Sequence, residues 1–88
     1  MNDITFSTTA WEHYLSWQQL DRKTLKKIND LLKDIQRNGP MEGTGKPETL
    51  KYRKAWSRRI DHANRLVYRF HEDNKNVFVI SCKGHYGD

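Results

Sequence analysis

Residues 43 to 51 read GTGKPETLK, and within them one carboxylate, Glu48, stands between Lys46 and Lys51. Arg59 and Arg65 follow, and the closing CKGHYGD sets an imidazole, His85, and a phenol, Tyr86, directly behind Gly84. A carboxylate can take a proton, guanidinium groups can carry charge gathering on a phosphate, and an imidazolium can return a proton to a leaving oxygen. Those are the three services that metal-free cleavage of RNA requires: a base for the 2′-OH, cations for the phosphate and an acid for the 5′-oxygen. Each acid or base of this kind contributes about 10²- to 10⁴-fold.

Taken singly, the same residues have plainer readings. Glu48 reads as a surface salt-bridge partner, Arg59 and Arg65 as solvated strand residues, His85 as an exposed side chain and Tyr86 as a packing cap. His13 falls on a helix, His62 in a turn and His71 at a strand end, all three structural, and their spacing supports no metal site. The residues alone therefore leave a nuclease and a binding-only surface both open.

Charge narrows the partner. Formal net charge is +5, and the segment from Lys46 to Arg59 holds six cations (Lys46, Lys51, Arg53, Lys54, Arg58 and Arg59) against the one anion Glu48. The rest of the chain balances, so the excess is a single patch suited to a polyanion such as nucleic acid. With 88 residues and 35% hydrophobic content, one domain over residues 1–88 with one modest core is expected, and any active site must lie on its surface. No stretch approaches the roughly 20 apolar residues of a membrane span, and MNDITFSTT has no signal-peptide pattern, so a cytoplasmic protein is expected. The lone Cys82 can form no internal disulfide and reads as a buried strand residue.

The elements that must position these groups follow from periodicity. Asp3 to Phe6 reads as a short strand. Thr9 and Glu12 fit a capping box for a helix over 8–19. Asp21 caps a second helix whose stripe is Leu25, Ile28, Leu31, Leu32 and Ile35, stopped by Asn38, Gly39 and Pro40. Its charged face, which includes Lys26, Asp30 and Asp34, reads as solvated or partner-facing. Residues 41 to 54 read as a long loop, and three alternating runs, 56–60, 65–71 and 77–83, as an antiparallel meander. Alternation sets Leu66, Tyr68, Phe70, Phe78, Ile80 and Cys82 on a greasy face, with Ser57, Arg59, Arg65 and Arg69 on the other. By parity Arg58 shares the face of Trp56, and it is expected to reach out at an edge with its stem on the indole. The class is α+β: two N-terminal helices on one face of a mainly antiparallel sheet of about four strands.

WEHYLSWQQLDRKTLKKINDLLKDI, GTGKPETLK, WSRRID, NRLVYRF and CKGHY, in that order over nearly the whole chain, resemble the YoeB/Txe family of bacterial toxins within the RelE superfamily. The resemblance implies a microbial-RNase-like fold and an mRNA endoribonuclease that cuts message in the A site of the translating ribosome without a cofactor. It also implies a YefM/Axe-type antitoxin as partner, with the ribosome and mRNA as targets; a homodimer, and operator DNA reached only through the antitoxin complex, are compatible with it. By position it makes Glu48 the general base and His85 the general acid. Arg59 and Arg65 become phosphate ligands, Tyr86 the ring that orients substrate and Lys51 a supporting lysine, with Lys46, Arg53 and Lys54 adding RNA contacts. Thr49 stands where the family commonly carries a second proline, which implies a less stiff loop around Glu48. Competing with an enzyme are a non-catalytic inhibitor of the ParE type and a nucleic-acid-binding module stacking bases on Tyr52 and Trp56.

Overall fold

The computed structural model describes residues 2–50 and 54–84. Strand β1 (Asp3–Phe6) leads into helices α1 (Thr8–Leu20) and α2 (Arg22–Asn38), followed by strands β2 (Glu48–Thr49), β3 (Trp56–Arg59), β4 (Arg65–His71) and β5 (Asn76–Ser81). The strands form one sheet in the order β1-β5-β4-β3-β2. The meander β3-β4-β5 is antiparallel as its alternation predicts, while β1 joins β5 in parallel. Among the described residues there are five strands rather than about four: β2 lies in the segment read as a loop and pairs with β3 through Glu48 opposite Ser57 and Thr49 opposite Trp56. Thr49, a β-branched residue, thus sits in a ladder that fixes its neighbour Glu48. No described helix is long and apolar enough to cross a membrane.

Both helices cover one sheet face. Ile28, Leu31, Leu32 and Ile35 of α2 meet Leu66, Tyr68, Val77 and Val79 in the core, joined by Ala10 and Trp17 of α1 and by Cys82. The cap of α1 is Ser7 rather than the Thr9/Glu12 pair, because the strand ends at Phe6 and Thr9 already lies inside the first turn. Ser7 Oγ accepts from Ala10 N–H (3.0 Å) and donates to the Ile80 carbonyl (2.8 Å), so one hydroxyl starts the helix and ties it to β5. Asp21 caps α2 as expected, accepting from the N–H groups of Lys23 and Thr24. At Asp21 the hydrogen bonds from Thr24 are the main influence and hold the carboxyl below its ordinary range, while at Asp61 burial works against the charge but the bonds from Ala63 and Asn64 together outweigh it and hold that carboxyl low as well.

One face assignment and one side-chain placement change. On β5 the core-facing residues are Val77 and Val79, not Phe78 and Ile80. Val67 pairs with Ser81 but Tyr68 with Val79, leaving Ile80 as an extra residue; this bulge reverses the parity, so Cys82 still returns to the core. Arg58 does not reach out at an edge. It is fully buried, and its guanidinium ties the segment after α2 to the sheet.

Candidate active site

The Arg58 guanidinium organises the approach to Glu48. It pairs through Nη1 with Asp34, and it donates to the carbonyls of Thr44 (3.2 Å), Gly39 (2.8 Å) and Glu42 (2.6 Å). Its Nε donates to Tyr68 Oη at 3.0 Å, and that hydroxyl in turn donates to the Pro40 carbonyl at 2.7 Å. A buried cation thus has its charge balanced and every nitrogen engaged, which burial demands. Asp34 therefore faces inward rather than lying on a solvated face. Burial works against its charge, but hydrogen bonds from Arg58, Asn38 and the Thr44 N–H outweigh it and hold its pKa below the ordinary carboxylate range. Burial raises the Tyr68 phenol.

From this anchorage the chain enters β2. Gly45 has φ +81°, and a Cβ there would crowd Leu31, the Arg59 carbonyl and Arg58 Cβ, so only glycine allows the close approach in which Arg59 N–H donates to Gly45 O at 2.7 Å. Lys46 follows in the left-handed region at φ 50°. Pairing with β3 then points Glu48 to the sheet face the helices leave uncovered, on the side of Ser57.

On that face the register sets Arg59 opposite Arg65. Arg59 is exposed, whereas Arg65 is 7% exposed. Arg65 Nε donates to Ser57 Oγ at 2.9 Å, which orients the planar fork. Its Nη2 is buried without a hydrogen-bond partner among the described residues and lies 3.7 Å from Glu48 Oε2, an electrostatic contact too long for a hydrogen bond. Glu48 itself is exposed, with 64% of its side chain open. An accessible carboxylate thus stands beside an oriented guanidinium with an unused donor, an arrangement able to hold an anionic oxygen next to a base.

Of the residues singled out from sequence, Glu48, Arg59 and Arg65 come together here, and Lys46 lies two positions before Glu48, exposed. Lys54 is exposed too and lines, with Thr49, Ala55, Trp56 and Phe70, a groove of about 340 Å³. By strand parity Trp56 and Phe70 project to the helix side, away from the Glu48 face. Lys51, Arg53, His85 and Tyr86 lie outside the described residues, as does Tyr52. Ser57, Asp34 and Tyr68 are the residues that sequence reasoning missed. Ser57 carried a signal in sharing the parity of Arg59; for Arg58, parity with Trp56 signalled a core-side cation in need of a carboxylate.

Residues 6–86 match the family model of the YoeB-like toxin of bacterial type II toxin-antitoxin systems. Toxin YoeB of Escherichia coli K12 is 44% identical over 85 residues, covering 94% of this chain and 98% of the relative. YoeB in a heterotetrameric YoeB-YefM complex from Staphylococcus aureus superposes with a TM-score of 0.86 at 50% identity, covering 98% of this chain and 99% of that one. The Staphylococcus aureus YoeB dimer gives a TM-score of 0.89 at 50% identity, with 97% and 98% covered. A matched model over most of the sequence, full-length relatives and a shared fold agree: the chain belongs to the YoeB-like toxins of bacterial type II toxin-antitoxin systems.

Proposed function

We propose that the protein is a metal-independent mRNA endoribonuclease acting on ribosome-bound message in the cytoplasm. The observation that carries this reading is the buried Arg65 fork with Nη2 unpartnered among the described residues, 3.7 Å from exposed Glu48 Oε2. A non-bridging phosphate oxygen placed at Nη2 would satisfy the donor and bring the adjoining ribose toward the carboxylate. Glu48 takes the proton of the 2′-OH, and O2′ attacks phosphorus. The P–O5′ bond breaks with its electron pair leaving on O5′, and His85 supplies the proton that this oxygen needs. The products are a 2′,3′-cyclic phosphate, or its 3′-phosphate after hydrolysis, and a 5′-hydroxyl end. Arg65 and Arg59 bear the charge on the non-bridging oxygens as it grows. Tyr86 orients the substrate, and Lys46, Lys51, Arg53 and Lys54 hold flanking phosphates.

The reading extends to partners. Because the Staphylococcus aureus relative is found with YefM and as a dimer, a YefM-type antitoxin and self-association are proposed for this chain as well. Primer extension on message from a translation extract, followed by end-group analysis, tests the chemistry. Glu48→Gln should slow cleavage by about 10²- to 10⁴-fold while ribosome binding persists. Undiminished cleavage by the variant would remove Glu48 as base, and translation arrest without cut message would favour a binding-only inhibitor.

A further inference from the structure

The turn between β3 and β4 carries more polar contacts than a chain reversal needs. The Asp61 carboxylate accepts from the N–H groups of Ala63 and Asn64, each at 2.8 Å, and from Asn64 Nδ2 at 3.1 and 3.2 Å. The Asn64 carbonyl accepts from the N–H groups of Ile60 (3.0 Å) and Asp61 (3.2 Å). These bonds close the turn. They leave one side-chain atom, Asn64 Oδ1, for another purpose, and with Nδ2 held by a carboxylate the amide has its oxygen turned away from Asp61.

That oxygen accepts from Gly84 N–H at 2.8 Å across twenty positions, and Arg65 N–H donates to Gly84 O at 3.0 Å. Both polar groups of the Gly84 backbone are therefore bound by two consecutive residues, the second being Arg65, whose fork lies 3.7 Å from Glu48. Gly84 has φ +87°, and a Cβ there would meet nothing within 4 Å, so glycine serves the backbone angle rather than any shortage of room. The residues just before it are held from the other side by α1. Trp17 Nε1 donates to Cys82 O at 2.9 Å, Cys82 N–H donates to His13 Nδ1 at 3.3 Å, and Lys83 Nζ donates to Ser16 Oγ at 2.6 Å. The segment leaving β5 is thus anchored residue by residue, and Asn64 supplies the last side-chain contact before His85.

We infer that Asn64 is a positioning residue for the proton donor: with the Arg65 backbone it fixes the peptide of Gly84, the residue that directly precedes His85 in the chain. The inference rests on the proposed role of His85 as general acid. It predicts a defect confined to leaving-group protonation, which a change of leaving group can isolate. A message whose scissile linkage carries sulfur in place of O5′ expels a thiolate that needs no proton.

The experiment compares single-turnover cleavage of oxygen- and sulfur-linked messages in ribosomal complexes by the full chain, Asn64→Ala, Asn64→Asp and His85→Gln. Asn64→Ala should cut the oxygen-linked message about 10- to 100-fold more slowly than the parent, with half-saturation unchanged, and the sulfur-linked message at the parent rate. His85→Gln should show the same selective rescue. Asn64→Asp, which keeps the oxygen acceptor but loses the donor to Asp61, should fall between alanine and the parent; thermal unfolding midpoints identify any variant that fails to fold. Rescue of His85→Gln without rescue of Asn64→Ala overturns this inference alone, as does an Asn64→Ala rate equal to the parent's on oxygen. Failure to rescue His85→Gln overturns the acid assignment itself and takes the inference with it.

Discussion

A buried guanidinium with one nitrogen bound and another left without an acceptor is a costly arrangement unless a ligand completes it, and among the described residues Arg65 is in that position. Ser57 matters because it turns the fork: without its hydroxyl, Nε would lose its acceptor and the plane could swing. Ser57→Ala should therefore lower single-turnover cleavage by about tenfold, the worth of about 1.4 kcal/mol of positioning. Arg65→Lys, which keeps the charge but cannot serve Ser57 and a phosphate together, should lower it by about 10²-fold or more. Equal activity of Arg65→Lys and the parent would make Arg65 a generic cation. Cys82 has the opposite character, fully buried with its thiol pushed up to about 12 by burial, and is chemically quiet.

At the scale of elements, the short strand β2 has its approach set by a side chain of its neighbour, since Arg58 of β3 binds the three carbonyls that shape residues 39 to 44. Asp34→Asn leaves that cation buried without its counter-charge and should destabilise the fold by about 3 kcal/mol at neutral pH. The folded-state pKa of Asp34 is depressed, so its ion pair contributes fully above the unfolded value of about 4 and is lost as pH falls through the lower folded value. Urea midpoints of the parent should drop as pH falls below about 4, and the variant should show a shallower drop, Asp21 and Asp61 still contributing to the slope. Matching slopes in the two proteins would separate Asp34 from acid stability. Periodicity made β1, α2 and the meander legible, because their apolar positions repeat over several turns or pleats. It could not reveal β2, since two residues carry no period, nor the reversal on β5, since the bulge at Ile80 depends on pairing with β4. The pairing of Arg58 with Asp34 across 24 positions is likewise tertiary, visible in sequence only as a cation on the wrong face.

For the molecule as a whole, the basic segment is less of a free patch than its composition suggests. Arg58 is neutralised inside the protein, which leaves Lys46, Lys54 and Arg59 as its exposed cations among the described residues. In anisotropy titrations with single-stranded RNA over a range of salt, Lys54→Ala should reduce the slope of log affinity against log salt by about 0.7, the share of one phosphate contact. An unchanged slope would place Lys54 outside the RNA path. The meeting of Glu48 with Arg65 was legible from sequence only through family resemblance: sixteen residues, strand β3 among them, separate the two in the chain.

The parallel pairing of β1 with β5 also sets a schedule for synthesis. Asp3 to Phe6 leave the ribosome early, yet the strand they bind, Asn76 to Val79, is made late, and Arg65 reaches its contact with Gly84 later still. Helices can form while translation proceeds, but the sheet lacks its second-to-edge strand until nearly all of these residues have emerged. A nascent copy therefore lacks a closed sheet until synthesis of these residues is almost over, and any partner that needs the finished sheet can engage it only then.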